Sequence, residues 1–271
     1  MSPAAVHGTG PGPPSAKSTA LVAGGTSGLG LATARHLRTK GMHVVLLARS
    51  ETTGHTAVAA LGTSNVSFTA GDIASPADVT AALDAAEQEG PLRIAVNCAG
   101  INRPGKTLGR HGPLPLPEFT ELITTNLVGA FNLARLAAAR MAMNDLSNGE
   151  RGVILLTASA AAFEGQAGQA AYAASKAGVV GMTLPLARDL AAHQIRVVTI
   201  APGLFDTPML RSLPAGVQEA LSGELLHPQS FGDPSLFAAL VGHILDNPML
   251  NGSTLRLDGA VRLPTQSQGS R

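Results

Sequence analysis

The chain has no tryptophan, one tyrosine (Tyr172) and one cysteine (Cys98), and aromatic residues make up only 3% of its 271 positions. A lone cysteine cannot close an internal disulfide, so no disulfide framework holds this fold and a reducing compartment is expected. Charge is scarce as well. Asp, Glu, Lys and Arg total 14%, and 19 basic against 18 acidic residues leave a net charge of +1. That balance offers no reservoir of cations for gripping a phosphodiester backbone, so nucleic acid is not an expected partner. No run of about 18 charge-free apolar residues occurs. The longest candidates are interrupted by Glu164, Lys176 and Pro185, so a membrane span is not expected. The eight histidines are scattered, with no pair at metal-ligand spacing, and no metal is expected.

What is present is apolar material, 45% of the chain, which is enough for a sizeable core and excludes a disordered polyelectrolyte. Residues 1–17 are the exception. They hold four Pro, three Gly and two Ser without apolar periodicity and read as a disordered leader. This stretch lacks both the arginines of a transit peptide and the apolar stretch of a secretory signal, so a cytoplasmic location is expected.

From residue 18 to 271 the pattern is that of one domain. Short apolar runs read as strands at Thr19–Ala23, His43–Ala48, Asn65–Ala70, Leu92–Asn97, Val153–Ala158, Ile195–Ala201 and Thr254–Leu257. Between them, Ala- and Leu-rich segments with helical spacing cover Leu29–Thr39, Thr53–Leu61, Pro76–Glu89, Glu118–Met143, Ala171–Ala191 and Ser235–Leu245. Ser75-Pro76 has the form of an N-cap followed by a first-turn proline. Apolar strands alternating with helices predict an α/β fold, a doubly wound, seven-stranded parallel sheet flanked by helices. Arg103–Pro117, rich in Pro and Gly, reads as a long loop. Residues 203–234, irregular and placed after a strand's carboxyl end, read as a lid. Leu122, Leu133 and Leu136 form an apolar stripe for core or subunit contact.

The first strand runs into Gly24-Gly25-Thr26-Ser27-Gly28-Leu29-Gly30 and then a helix. Glycines at 24, 28 and 30 allow a sharp turn and close approach to a pyrophosphate, which the helix N-terminus then meets with free N–H groups and the positive end of its dipole. The spacing is GxxxGxG. Asp72, after the third strand, is placed to bond an adenine. At the end of the second strand, an acidic side chain would hold the ribose 2′-OH of NAD. Here the sequence is Leu47-Ala48-Arg49-Ser50 instead, and a guanidinium matches a 2′-phosphate. The expectation is therefore NADP(H) in preference to NAD(H).

Tyr172-Ala-Ala-Ser-Lys176 puts a phenol and an ammonium four residues apart, on one face of a predicted helix. A free phenol titrates near pH 10, and a nearby cation is expected to lower that value. Such a tyrosine exchanges a proton with a carbinol oxygen. Ser159, thirteen residues upstream, is placed to bond the same oxygen, and Asn126 to hold a water that feeds protons toward Lys176. Cys98, at a strand's end, reads as a small hydrophobe. Arg103, Lys106 and Arg110 are available to a phosphate or simply serve solubility.

The cradle, Asn97-Cys98-Ala99-Gly100, Asn126, Ser159, Tyr172-x-x-x-Lys176 and Pro202-Gly203 together resemble the short-chain dehydrogenase/reductase family, in its order, over residues 18–263. Segments such as Phe163-Glu164-Gly165-Gln166 and Gly181-Met182-Thr183-Leu184-Pro185 are similar to its 3-hydroxyacyl-CoA dehydrogenase branch. The resemblance implies a Rossmann-type domain, a homotetramer and an oxidoreductase. It would interconvert a secondary alcohol and a ketone, such as a 3-hydroxyacyl-CoA or a steroid-like alcohol. A carrier-bound β-ketoacyl reductase shares the same residues, whereas a non-catalytic dinucleotide sensor would require a broken Tyr or Lys. The resemblance makes Asn126, Ser159, Tyr172 and Lys176 the catalytic tetrad. It places the cofactor against Gly24, Thr26, Ser27, Gly28, Leu29, Gly30, Arg49, Ser50, Asp72, Ile73, Asn97, Ala99, Gly100, Pro202 and Gly203, beside Tyr172 and Lys176, with Thr207 on the nicotinamide amide. Gln166 and Leu204 join Ser159 and Tyr172 around the substrate. Three departures stand out: Ala48 where that branch carries an acid, Ala23 where the cradle usually opens with Thr, and Leu156 where an Asn is usual.

Overall fold

A computed structural model describes residues 18–262 and 265. The leader expected over 1–17 lies outside the described residues. Among the described residues, nine strands and nine α-helices follow in order. The strands are β1 (Thr19–Ala23), β2 (His43–Ala48), β3 (Val66–Ala70), β4 (Leu92–Asn97), β5 (Leu108–Gly109), β6 (Gly112–Pro113), β7 (Gly152–Thr157), β8 (Ile195–Pro202) and β9 (Thr254–Leu257). The helices are α1 (Gly28–Thr39), α2 (Glu51–Leu61), α3 (Pro76–Glu89), α4 (Leu116–Ile123), α5 (Gly129–Met141), α6 (Ala170–Leu190), α7 (Pro208–Arg211), α8 (Ala215–Ser222) and α9 (Pro234–Asp246).

Seven strands form one parallel sheet in the order β3-β2-β1-β4-β7-β8-β9. The central strands β1, β2, β4, β7 and β8 are buried on both faces and read as apolar runs, whereas the edge strands β3 and β9 are partly exposed. Leu21, Ala23, Val45 and Leu47 face α3, α5 and α6 through Val79, Leu83, Leu133 and Val179. Their neighbours Ala20, Val22, Val44 and Leu46 face α1, α2 and α9 through Leu37, Leu61, Phe237 and Val241. The period-two alternation of the strands thus divides one apolar run between two cores. Leu156, in place of the usual Asn, is buried in the first core.

Local chemistry sets the helix starts. Ser75 Oγ accepts from Asp78 N at 3.3 Å with Pro76 in the first turn, and Ser50 Oγ accepts from Thr53 N at 3.3 Å. The sheet order reverses beside β1: β2 and β3 lie to one side, β4 and β7 to the other. The chain leaves β1 and β4 toward opposite faces of the sheet there, and a crevice opens at their carboxyl ends.

Two sequence expectations are corrected and two are refined. Arg103–Pro117 is not all loop, because β5 and β6 pair as a hairpin (Leu108 with Pro113, Gly109 with Gly112). The segment 203–234 contains the short helices α7 and α8, started by Pro208 and capped by Thr207, whose Oγ1 accepts from Leu210 N at 3.4 Å. The helix expected over 118–143 is α4, a π-helical turn over Thr124–Val128, and α5. Its Leu122 and Leu133 are core residues and Leu136 packs against that core, the first of the two readings given for the stripe. By length and hydropathy alone, the joined helix Leu116–Met141 could cross a membrane, but half of its most apolar window is buried inside this fold.

Candidate active site

The crevice is a cleft of about 900 Å³ that runs from the glycine turn after β1 to the start of α6. Its first wall is Gly24–Gly30. Gly24 has φ +70°, and a Cβ there would lie 2.6 Å from the Ala99 amide nitrogen, so the two strand-end loops touch backbone to backbone. A Cβ on Gly30 would overlap the Gly24 carbonyl oxygen. Ser27, at the N-cap of α1, makes no side-chain cap bond, and the first turn carries no acidic residue. The open N–H groups and the dipole therefore face the cleft and suit an anion. Ala23 is fully buried and its carbonyl accepts from Cys98 N at 2.8 Å, so the missing Thr hydroxyl is not needed to join β1 to β4.

Next along the cleft, Ala48, Arg49, Ser50 and Thr53 line one edge with Asp72 and Ile73 opposite. Arg49 is exposed. Asp72 Oδ1 accepts from Ala74 N at 2.8 Å, which shapes the turn after β3.

Ser159, Tyr172 and Lys176 meet at the far end. Ser159 ends the segment after β7, and its Oγ accepts from Ala161 N at 3.1 Å, capping a 3₁₀ turn over Ala160–Ala162. The Ser159 side chain stands beside the Tyr172 phenol, close enough to favour its ionised form. Lys176, buried one turn further along α6, donates to Thr157 O at 2.9 Å and stands 5.8 Å from the Tyr172 ring centroid. Burial pushes its ammonium down to about 8.

The electrostatics correct one expectation. The Tyr172 phenol is raised above its ordinary value, because burial outweighs the lowering influence of Ser159 beside it. Lys176, turned to the Thr157 carbonyl, does not acidify it. Cys98 lines the cleft floor, where burial pushes its thiol up to about 11. It is neutral at physiological pH, in keeping with a small hydrophobe.

Asn126 does not reach the cleft surface. It sits in the π-helical turn and is fully buried. Its Nδ2 donates to Ile101 O (2.9 Å) and Ser175 Oγ (3.1 Å), and its Oδ1 accepts from Ile101 N (2.8 Å). A Cβ on Gly100 would lie 3.2 Å from Asn126 Oδ1 and 3.4 Å from Lys176 Nζ, so the two side chains flank Gly100. The extra residue of the π turn supplies this aim, and such turns recur at functional sites. The weak helix formers Thr124-Thr125-Asn126 are its only trace in the sequence. Asn97 is also withdrawn, with no exposed surface. Its Oδ1 accepts from Ala99 N at 2.9 Å while its Nδ2 is buried among the described residues without a partner.

Pro202, Gly203, Leu204 and Thr207 line the wall opposite Tyr172, and Thr207 lies against Gly28. Gln166 lines the mouth, and its amide N donates to Gln169 Oε1 at 3.0 Å. Gly105 N donates to Gly168 O at 2.8 Å, joining the hairpin segment to the turn before α6. Of the three loop cations, Lys106 lines the cleft whereas Arg103 pairs with Glu121 at 2.6 Å. Sequence reasoning missed Thr53, Cys98 as cleft floor, and the α8 residues Val217 and Leu221. Among the described residues no group of three or more His, Cys, Asp or Glu is placed to hold a metal ion.

This geometry matches known proteins closely. The chain is 50% identical over 248 residues to the 3-hydroxyacyl-CoA dehydrogenase type-2 of Bos taurus, covering 90% of this chain and 95% of the relative. It is 48% identical over 250 residues to the enzyme of the same name in Drosophila melanogaster, covering 91% and 98%. The crystal structure of 3-hydroxyacyl-CoA dehydrogenase type-2 from Mycobacterium avium superposes with a TM-score of 0.86 at 40% identity, covering 92% of this chain and 98% of that one. Residues 18–218 match the family described as short chain dehydrogenase. The glycine cradle, the cleft that leads from it and these matches together make the chain a member of the short-chain dehydrogenase/reductase family, an oxidoreductase that interconverts secondary alcohols and ketones with a nicotinamide dinucleotide.

Proposed function

We propose that the chain oxidises the secondary alcohol of a 3-hydroxyacyl-CoA, or reduces the matching ketone, with NADP(H) in preference to NAD(H). The observation that carries the chemistry is the convergence of Ser159, Tyr172 and Lys176 at one end of a cleft whose other end is the glycine cradle. The dinucleotide supplies the hydride acceptor or donor. In this reading Gly24, Thr26, Ser27, Gly28, Leu29 and Gly30 hold its phosphates, and Asp72 and Ile73 flank the adenine. Ala99, Gly100, Pro202, Gly203 and Thr207 hold the nicotinamide end, and Asn97 supports Ala99 from beneath. Tyr172 exchanges a proton with the carbinol oxygen, Ser159 bonds that oxygen, and Lys176 with Asn126 holds the proton path behind it. Gln166 and Leu204 bound the substrate.

The acyl-CoA class is supported by the names of the relatives and by Lys106 at the cleft, a cation suited to a CoA phosphate. The phosphate preference is supported by Arg49 beside the small Ala48. We also propose a homotetramer, supported by the half-exposed apolar side chains Val128, Phe131 and Leu184 on the α4–α5 helix and α6.

Tyr172→Phe, assayed with a panel of 3-hydroxyacyl-CoA, steroid and simple alcohol substrates, is expected to lose about 10²- to 10⁴-fold in kcat while cofactor Kd changes little. A near-full rate would reject the proton-donor assignment, and best turnover of a non-acyl substrate would reject the substrate class. In fluorescence titrations Arg49→Ala is expected to weaken NADPH about tenfold or more and leave NADH unchanged. Equal NADPH affinity in mutant and wild type overturns the 2′-phosphate contact.

A further inference from the structure

The carboxyl end of β9 carries a cluster of charge that the reaction as described leaves unused. Arg256 Nη1 and Nη2 each donate to one oxygen of Glu164 at 2.8 Å, and Nε donates to Asp258 Oδ2 at 2.6 Å. The guanidinium carbon lies 4.9 Å from the Phe163 ring centroid. Arg262 reaches the same two carboxylates from outside, at 3.4 and 3.3 Å. The side chains of Arg256 and Glu164 are only 24% and 31% exposed, so the pair is less screened than an open surface pair.

The acceptors belong to two walls of the cleft. Phe163 and Glu164 lie on the segment that leads from Ser159 to Tyr172. The Glu164 amide donates to Ala160 O at 3.1 Å, in the 3₁₀ turn that Ser159 itself caps. A short, fully bonded path therefore runs from the guanidinium to Ser159. Asp258 packs on the opposite wall: a Cβ on Gly203 would lie 2.8 Å from its Cα and Cβ, and Gly203 N donates to Leu257 O at 2.9 Å. Paired with Arg256, the Glu164 carboxyl is held below its ordinary value and stays ionised throughout the working pH range. A planar fork fixes rotation as well as distance, which a lysine ammonium cannot do.

We propose that Arg256, through its two-pronged bond to Glu164, is a positioning residue that sets Ser159 against the Pro202–Gly203 wall. The inference rests on the assignment of Ser159 to the substrate oxygen given above. It requires that loosening the fork misplace Ser159 without disturbing the cradle some distance away.

The test is a double-mutant cycle. Arg256→Met, Arg256→Lys and Glu164→Gln are made in the wild-type and Ser159→Ala backgrounds, and kcat, KM, cofactor Kd and melting temperature are read. In the wild-type background each should lower kcat about tenfold to a hundredfold, the scale of a misplacement of about 1 Å, with KM and Kd within about twofold. In the Ser159→Ala background each should cost less than about twofold further, because the residue acted upon is gone. Full multiplication of the two losses, or a lowered melting temperature with unchanged kcat, overturns the positioning role while leaving the Ser159 assignment intact. Near-wild-type turnover by Ser159→Ala itself overturns that assignment, and this inference with it. If Arg256→Met does not fold, Arg256→Lys and Glu164→Gln decide.

Discussion

Lys176 is a cation held in a place that disfavours cations. Burial brings its ammonium down to about 8, and it donates to a backbone carbonyl rather than to a carboxylate. The sign of the consequence follows. Below about 8 the group keeps its proton and can refill the path behind Tyr172; above that it is neutral. Ketone reduction, which consumes a proton, should therefore slow as pH rises through this value, and alcohol oxidation should quicken. Single-turnover rates in both directions between about pH 6 and 10 test this, and a flat profile in both would remove Lys176 from the proton path. At this scale the sequence was highly informative: Tyr172, Lys176, Ser159 and the cradle glycines could all be named from type and spacing. Side-chain direction was not legible. Spacing put Lys176 one turn from Tyr172 but could not tell that the ammonium turns to Thr157, so the expected acidification of the phenol was wrong. Asn97 and Asn126 were named as well, yet packing places both beneath the cleft surface.

Between α1 and α9 the helices touch so closely that a Cβ on Gly242 would overlap the His36 ring. His36 Nε2 is buried there without a partner among the described residues. Its value is lowered from 6.5, first by burial and then by the Lys40 ammonium, with Asp246 opposing. Above about pH 6.5 the ring is neutral in folded and unfolded chains alike and nothing is lost. As pH falls below that, the unfolded chain takes up the proton first and stability drains away until the lower folded value is passed. The melting temperature of the wild type should drop more between about pH 7 and 5 than that of His36→Gln, and parallel curves would count against the His36 account. Elements with strong periodicity were readable. The bounds of β1, β2, β4, β9 and α3 agree with the apolar pattern, because a two-faced buried strand or a capped helix writes itself into residue type. The hairpin β5–β6 and the helices α7 and α8 were not, since two-residue strands and proline-started single turns leave no period to read.

For the molecule as a whole, the exposed Phe131 and Leu184 give the tetramer proposal a direct test. Phe131→Lys puts a charge where the proposal needs an apolar contact, and light scattering should show a smaller species with the fold intact by circular dichroism. An unchanged mass would move the interface elsewhere. A core substitution offers a contrast. Phe237→Ala empties a site that is 1% exposed between α9 and the sheet and should cost about 3–5 kcal/mol in denaturant melts, with no change in assembly at low denaturant. Residue order alone settled the alternation of strand and helix, the parallel doubly wound sheet and the list of groups able to do chemistry, because period, caps and glycine turns are local properties. The contents of the cleft floor, the aim of Lys176 and Asn126, and the meeting of Arg256 with Glu164 across 92 residues were decided only by tertiary structure. Those depend on which distant surfaces pack together, and no local pattern encodes that.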